Sequence, residues 1–127
     1  MVRGVTYLLD THVLLWWLNN DPRLSAVHLD AISDGTIEIV VSSITLAELS
    51  IKASLGKLDI TTDLNTVIGS DGFSFLPFTE RHAATLRTLP FHHRDPFDRM
   101  LVSQAQTDGL VFLTADEQCK KYDIQTR

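Results

Sequence analysis

The sequence predicts an α/β domain built on a mostly parallel sheet with helices on both faces. Apolar, β-branched runs at Val5-Thr6-Tyr7-Leu8-Leu9, Ile37 to Val41 and Leu110 to Leu113 are nearly continuous rather than alternating, which suits strands covered on both sides. Segments with helical apolar spacing separate them, the pattern of strand–helix–strand units. The chain has 127 residues, the size of one domain spanning 1–127, and a chain of that length buries roughly two-thirds of its unfolded surface.

The first strand ends at Asp10, and His12 to Asn19 reads as a short helix closed by Asn19-Asn20-Asp21-Pro22. Ser25 can cap a second helix with Val27, Leu29 and Ile32 among its apolar positions, ended by Asp34-Gly35. After the strand Ile37 to Val41, Ser42 or Ser43 can cap a helix that runs to about Leu55 and stops at Gly56. Asp63 to Ser70 has helical character, and Asp71-Gly72 turns the chain into the strand-like Phe73-Ser74-Phe75-Leu76. Thr79 can cap a helix reaching about Leu89, and Pro90 and Pro96 bracket a loop. Pro96 suits the first turn of a helix, and Phe97, Met100, Leu101, Gln104 and Ala105 continue it until Asp108-Gly109. The strand Leu110 to Leu113 follows, with Asp116 three residues beyond it.

Composition narrows the function classes. Eleven Lys plus Arg against sixteen acids leave a net charge of −5, which disfavours broad nucleic-acid affinity driven by phosphate neutralisation. One cysteine, Cys119, excludes a disulfide framework and a Cys-rich zinc site. Apolar runs fall far short of the ~20 residues of a membrane span, and no secretory leader pattern opens the chain, so a cytoplasmic location is expected. There is no Gly-rich phosphate loop.

The acids are the informative residues. Ligands of open parallel sheets bind outside the carboxyl ends of the strands. Asp10 and Asp116 follow strands, Glu48 lies in the second turn of the helix after Ile37 to Val41, and Asp98 lies in the first turn of the helix from Pro96. All four therefore fall near one edge. Asp98 could simply favour the helix dipole, and Asp95 could be an N-cap. Glu48 could pair with Lys52 one turn on, but it interrupts a helix that is apolar nearly all round. Four acids converging without lysine partners would raise one another's pKa values, and a divalent cation removes that repulsion. Oxygen-only ligands suit Mg²⁺ or Mn²⁺.

Four segments resemble, in order, the motifs of PIN-domain ribonucleases, and most nearly the VapC-like toxins of bacterial toxin–antitoxin pairs. They are Leu8-Leu9-Asp10-Thr11-His12-Val13-Leu14-Leu15-Trp16, Ser42-Ser43-Ile44-Thr45-Leu46-Ala47-Glu48-Leu49, His93-Arg94-Asp95-Pro96-Phe97-Asp98-Arg99-Met100-Leu101-Val102-Ser103-Gln104-Ala105, and Leu113-Thr114-Ala115-Asp116. The resemblance implies a three-layer α/β/α sandwich and Mg²⁺-dependent endonucleolytic cleavage of RNA by a metal-activated water, with Mn²⁺ able to substitute. It assigns Asp10, Glu48, Asp98 and Asp116 to the acidic metal cluster, Glu48 either holding metal or orienting the water. It places the hydroxyls of Thr11 and Thr114 beside that cluster and makes Asp95 an accessory acid or a cap. A small antitoxin and a homodimer are the partners it implies. Ala47 stands where an aromatic often precedes the second acid, a departure that bears on packing or substrate fit.

The basic residues Lys52, Lys57, Arg87, His92, His93, Arg94 and Arg99 could form a local rim despite the acidic total, and Lys52, His93, Arg94 and Arg99 are the candidate RNA contacts. His92-His93 lacks a further Cys or His at ligand spacing and so does not read as a zinc site. One of Trp16 and Trp17 is expected to face outward, since helix neighbours do not share a face, and Cys119 shows no base signature and reads as inert. The alternative is a catalytically silent relative that binds RNA or a protein, although such relatives lose acids and this chain keeps all four. A receiver-type phosphoacceptor domain fits less well, because Asp10 has no acidic neighbour and no lysine follows Leu113 until Lys120.

Overall fold

The computed structural model describes residues 4–60 and 63–127. Residues 1–3, where the reading for a leader begins, lie outside the described residues. Among the described residues, five parallel strands form one sheet: β1 (Thr6–Leu9), β2 (Glu38–Ser42), β3 (Ser74–Leu76), β4 (Val111–Leu113) and β5 (Gln125–Thr126), in the order β3-β2-β1-β4-β5. Six helices of the described residues flank it: α1 (Thr11–Leu18), α2 (Ala26–Ser33), α3 (Ser43–Ser54), α4 (Leu64–Ser70), α5 (Glu80–Thr88) and α6 (Pro96–Asp108), with a 3₁₀ helix at Glu117–Lys121.

The continuous apolar strands are explained by two cores. Tyr7, Leu9, Ile39, Val41 and Leu113 face one side and pack with Val13 and Leu14 of α1, Ala31 and Ile32 of α2 and Ile68 of α4. Leu8, Val40 and Phe112 face the other and pack with Leu101, Val102 and Ala105 of α6 and with Leu86 of α5. Alternate strand residues thus enter opposite cores, and each fully buried Leu or Phe stabilises the fold by roughly 1.5–3 kcal/mol. The result is the three-layer α/β/α arrangement.

Capping sets the helix starts. Asp10, Ser25, Ser42, Asp63 and Asp95 each accept a hydrogen bond from a backbone N–H at the start of the helix that follows. Of the two serines able to cap α3, Ser42 does so, and it also bonds the Oε1 of the buried Gln104, tying α3 to α6. At α5, the Thr79 N–H donates to His82 Nδ1 at 2.9 Å, and His82 Nε2 lies 2.8 Å from Asp108 Oδ2, pinning the start of α5 to the end of α6.

Two expectations are corrected. In α2 the inward face is His28, Ala31 and Ile32, while Val27 and Leu29 are exposed. The i, i+3, i+4 stripe begins at His28, whose Nε2 reaches the Arg127 carbonyl oxygen at 2.7 Å. The 3₁₀ helix and β5 were not foreseen, because a two-residue strand carries no periodicity to read. Gly109 ends α6 with φ 65°, in the left-handed region. Gly109→Ala is expected to cost about 1 kcal/mol, seen as a lower urea midpoint at unchanged slope.

Candidate metal centre

Strand order runs outward from β1 through β2 to β3, then the chain crosses back to lay β4 on the other side of β1. The carboxyl ends of β1 and β4 therefore flank the point where the winding reverses, the place where such sheets open a crevice. Asp10 leaves β1 there, and its N–H donates to Leu113 O at 3.0 Å. The Asp10 carboxylate is held at both oxygens: Thr11 N–H donates to Oδ1 at 2.7 Å and Thr114 Oγ1 donates to Oδ2 at 2.7 Å. The same Thr114 hydroxyl accepts from Asp116 N–H at 3.0 Å, so one side chain aligns both strand-end acids. Because α6 leads into a parallel strand, its first turn lies at this edge and brings Asp98 in. Asp10, Asp98 and Asp116 line one cavity together with His12, Trp16, Arg23 and Ala115.

Glu48 stands behind them, buried in α3. Its Oε1 accepts from Thr11 Oγ1 at 3.0 Å and its Oε2 from Lys52 Nζ at 2.9 Å. The expectation that the acids converge without a lysine is thus corrected: the i, i+4 pair forms, and Lys52 is engaged at Glu48. The charge of Glu48 still reaches Asp98.

The electrostatics are those of crowded carboxylates. Burial raises the Asp10 pKa against the opposing hydrogen bonds of Thr114 and Thr11. Burial, with the charges of Asp10, Asp95 and Glu48 added, pushes Asp98 up to about 7. Asp116 goes the other way: burial alone would raise it, but the Gln118 N–H and His93 outweigh that and hold it below the usual carboxylate range. Four carboxylates at one edge, two of them made costly to ionise, form an oxygen donor set that fits a hard divalent cation.

The PIN domain family model matches residues 7–125. The chain belongs to the PIN domain family. PIN domains generally use a divalent metal and are typically nucleases. Solved structures with the same fold are VapC and FitB toxins in complex with their antitoxins. A chain of VapBC2 from Rickettsia felis bound to a promoter DNA fragment superposes with a TM-score of 0.71 at 16% identity, covering 97% of this chain and 98% of that one. DNA-bound VapBC from Salmonella typhimurium gives 0.71 at 21% identity over 97% of each chain. FitAcB from Neisseria gonorrhoeae gives 0.64 at 23%, over 94% of this chain and 95% of that one. No curated protein matches in sequence.

The remaining site candidates of this PIN domain separate into those at the cavity and those that support it. Asp95 is a cap: its Oδ1 accepts from Phe97 N–H at 2.8 Å. Arg99 is not an RNA contact. It is 7% exposed, donates from Nη1 to Pro90 O at 2.7 Å and from Nη2 to Leu89 O at 3.1 Å, and lies 4.0 Å from the Phe91 ring centroid. His93 is likewise corrected, because its largely buried ring turns inward to Asp116 Oδ2 at 2.8 Å. A carboxylate cannot donate, so Nε2 carries the hydrogen and Nδ1 accepts from the Tyr122 hydroxyl at 3.1 Å. Arg94 is exposed, as an RNA contact requires.

Neither tryptophan is the expected outward one; both are half-buried. Trp17 packs near Phe73 and donates to Asp71 Oδ2 at 3.1 Å, whereas Trp16 lines the acidic cavity, with Arg23 5.5 Å from its ring. Sequence reasoning missed Trp16, His12 and Arg23 as site residues. The helical spacing of His12 and Trp16, one turn apart on the helix that Asp10 caps, was the signal that could have found the first two. Cys119 is not isolated either, since the fold sets its Sγ 3.8 Å from His93 Nε2 and 3.8 Å from Thr114 Oγ1. Among the described residues no helix is long and apolar enough to cross a membrane.

Proposed function

We propose that this PIN domain is a Mg²⁺-dependent endoribonuclease acting in the cytoplasm as the toxin of a toxin–antitoxin pair. The observation that carries the reading is the meeting of Asp10, Asp98 and Asp116 in one cavity at the reversal point of the sheet, with Glu48 behind. Asp10, Asp98 and Asp116 would hold the ion, with Mn²⁺ able to replace Mg²⁺. When bound, the ion lowers the pKa of water and stabilises charge on a phosphodiester.

This chain's own residues supply orientation. Thr11 and Thr114 fix both oxygens of Asp10, and His93 fixes Asp116. Glu48, steadied by Thr11 and Lys52, either joins the ligands or orients the attacking water. Trp16 offers an aromatic face beside the acids, and the exposed Arg94 supplies positive charge that the net −5 does not, while Arg23 at the same cavity is paired with Asp21 at 2.7 Å. The fold shared with VapC and FitB chains, solved with their antitoxins, supports an antitoxin partner, and a homodimer is the assembly proposed with it.

The test is incubation of purified, antitoxin-free protein with total bacterial RNA, with Mg²⁺ or Mn²⁺ and with chelator, mapping new 5′ ends. Discrete cuts that need metal and vanish in Asp10→Asn are expected. Absence of cuts together with an unchanged melting temperature on adding metal would leave a binding module instead. Trp16→Ala is expected to raise KM roughly tenfold at little change in kcat, because a base stacked on an aromatic ring is worth about 1–3 kcal/mol. Single-turnover cleavage over a range of RNA concentrations checks it, and an unchanged KM would remove Trp16 from the substrate path.

A further inference from the structure

Beside the carboxylate cluster lies a second group of convergent ligands, of different chemistry. His93 comes from the loop before α6, Asp116 from the end of the β4 turn, and Cys119 from the 3₁₀ helix. One ligand atom from each lies within 4.8 Å of the others, with His93 Nε2 2.8 Å from Asp116 Oδ2 and 3.8 Å from Cys119 Sγ. Nitrogen, oxygen and sulfur around a tetrahedral ion at ordinary bond lengths stand about 3.3–3.7 Å apart, so small side-chain adjustments suffice.

His93 has the outer support that a metal-binding imidazole needs. The Tyr122 hydroxyl sits 3.1 Å from Nδ1 and also accepts the His93 backbone N–H at 2.9 Å, and the two rings stack 5° from parallel. A hydroxyl can donate or accept. If an ion displaces the Nε2 hydrogen, the ring takes the other tautomer, with the hydrogen on Nδ1 given to Tyr122 and the Nε2 lone pair aimed between Asp116 and Cys119. Cys119 is 1% exposed and sits at the edge of the α6-side core, where its Sγ lies 3.8 Å from both His93 Nε2 and the Thr114 hydroxyl.

We propose that His93, Asp116 and Cys119 form a site for a borderline-soft ion of the zinc type, sharing Asp116 with the carboxylate cluster. Sulfur and imidazole select against Mg²⁺, so the two sites take different ions. As the sulfur–metal bond forms, the thiol proton passes to water. Burial first, and then the charges of Asp10, Asp116 and Asp98, push that thiol up to about 12. An ion held here withdraws Asp116 and His93 from the acidic cavity. This consequence rests on the nuclease reading: zinc inhibits cleavage in the presence of excess Mg²⁺. The existence of the site does not rest on it.

The first test needs no RNA. Co²⁺ is titrated into the intact chain and the thiolate-to-cobalt absorption in the near ultraviolet is followed, with Cys119→Ser and Cys119→Ala alongside and circular dichroism to confirm that both fold. A saturable band at one ion per chain, lost in both variants and displaced by Zn²⁺ but not Mg²⁺, is expected. No band in the native chain, or a band that survives loss of the thiol, overturns the site. The second test measures cleavage against Zn²⁺ at saturating Mg²⁺, where Cys119→Ala is expected to need at least tenfold more Zn²⁺ for half inhibition. Equal inhibition of both proteins overturns the regulatory consequence and leaves the cobalt result standing. Absence of cleavage in either would count against the nuclease reading alone.

Discussion

Asp98→Asn is expected to abolish RNA cleavage and, in the same molecule, to raise the melting temperature of the metal-free protein. The two effects share one cause. Asp98 is held among carboxylates with a pKa of about 7, raised by burial and by Asp10, Asp95 and Glu48. A raised carboxyl pKa means that the folded state binds this proton more tightly than the unfolded chain does. Stability is therefore fullest below about pH 4 for this group, falls as pH rises to about 7, and stays low above it. The asparagine carries no charge to repel its neighbours. Asp98 is partly exposed, so with solvent screening the gain at pH 8 is about 1–3 kcal/mol, or roughly 3–10 °C. Asp10, also raised by burial, adds in the same direction.

The loss of activity follows from the donor set. A ligand that stabilises transition-state charge through a metal contributes several kcal/mol, so on the order of a thousandfold in rate is at stake. Mg²⁺ is expected to stabilise the native protein, by about 2.7 kcal/mol at a hundredfold excess over Kd, and to stabilise the variant much less. Thermal melts at pH 5 and pH 8, with and without Mg²⁺, together with single-turnover cleavage, check all of this. A variant that cleaves at the native rate, or melts no higher at pH 8 without metal, overturns the assignment of Asp98.

Arg99→Ala is expected to do the opposite: destabilise strongly by a route that has nothing to do with RNA. Its guanidinium satisfies the carbonyls of Leu89 and Pro90, which end α5 and open the loop carrying His93 and Asp95. Removing it strands the buried Leu89 carbonyl, breaks the half-buried bond to Pro90 and leaves the Phe91 ring without its cation, a cost of roughly 2–4 kcal/mol. The melting temperature should fall by roughly 5–15 °C. Arg94→Ala, five residues earlier and exposed, should leave stability within about 0.5 kcal/mol while weakening RNA binding several-fold. Equal melting temperatures for the two variants would show that Arg99 is not a structural residue.

Arg94 and Arg99 show where sequence reading stops. Both lie in one motif and both are basic, and nothing local distinguishes them. Arg99 falls three residues into α6 on the side facing the end of α5, and that packing decides its burial. His93 is parallel: the loop composition suggests a solvated histidine, but Tyr122, 29 residues on, turns it inward. Trp16 and Trp17 are neighbours that take different partners, one the acidic cavity and the other Phe73, so neither points simply outward.

What the sequence by itself determined is whatever depends on short-range chemistry. Continuous apolar runs demand strands covered on both faces, and polar caps at Asp10, Ser25, Ser42, Asp63 and Asp95 start helices within a residue or two of the predicted positions. Those same local rules put Asp10, Asp98 and Asp116 at the carboxyl edge, because a carboxylate at a strand end or in a first helical turn has its place set by that element, and they put Glu48 one turn further into α3. Tertiary structure alone decided the partners: Thr114 on Asp10 across 104 positions, His93 on Asp116 across 23, and Cys119 beside His93 across 26. Such pairs arise when β4 is laid against β1, and only that packing energy selects them. Propensity and periodicity act within about a turn or a strand, and they carry no information about which distant side chain will share a buried hydrogen bond.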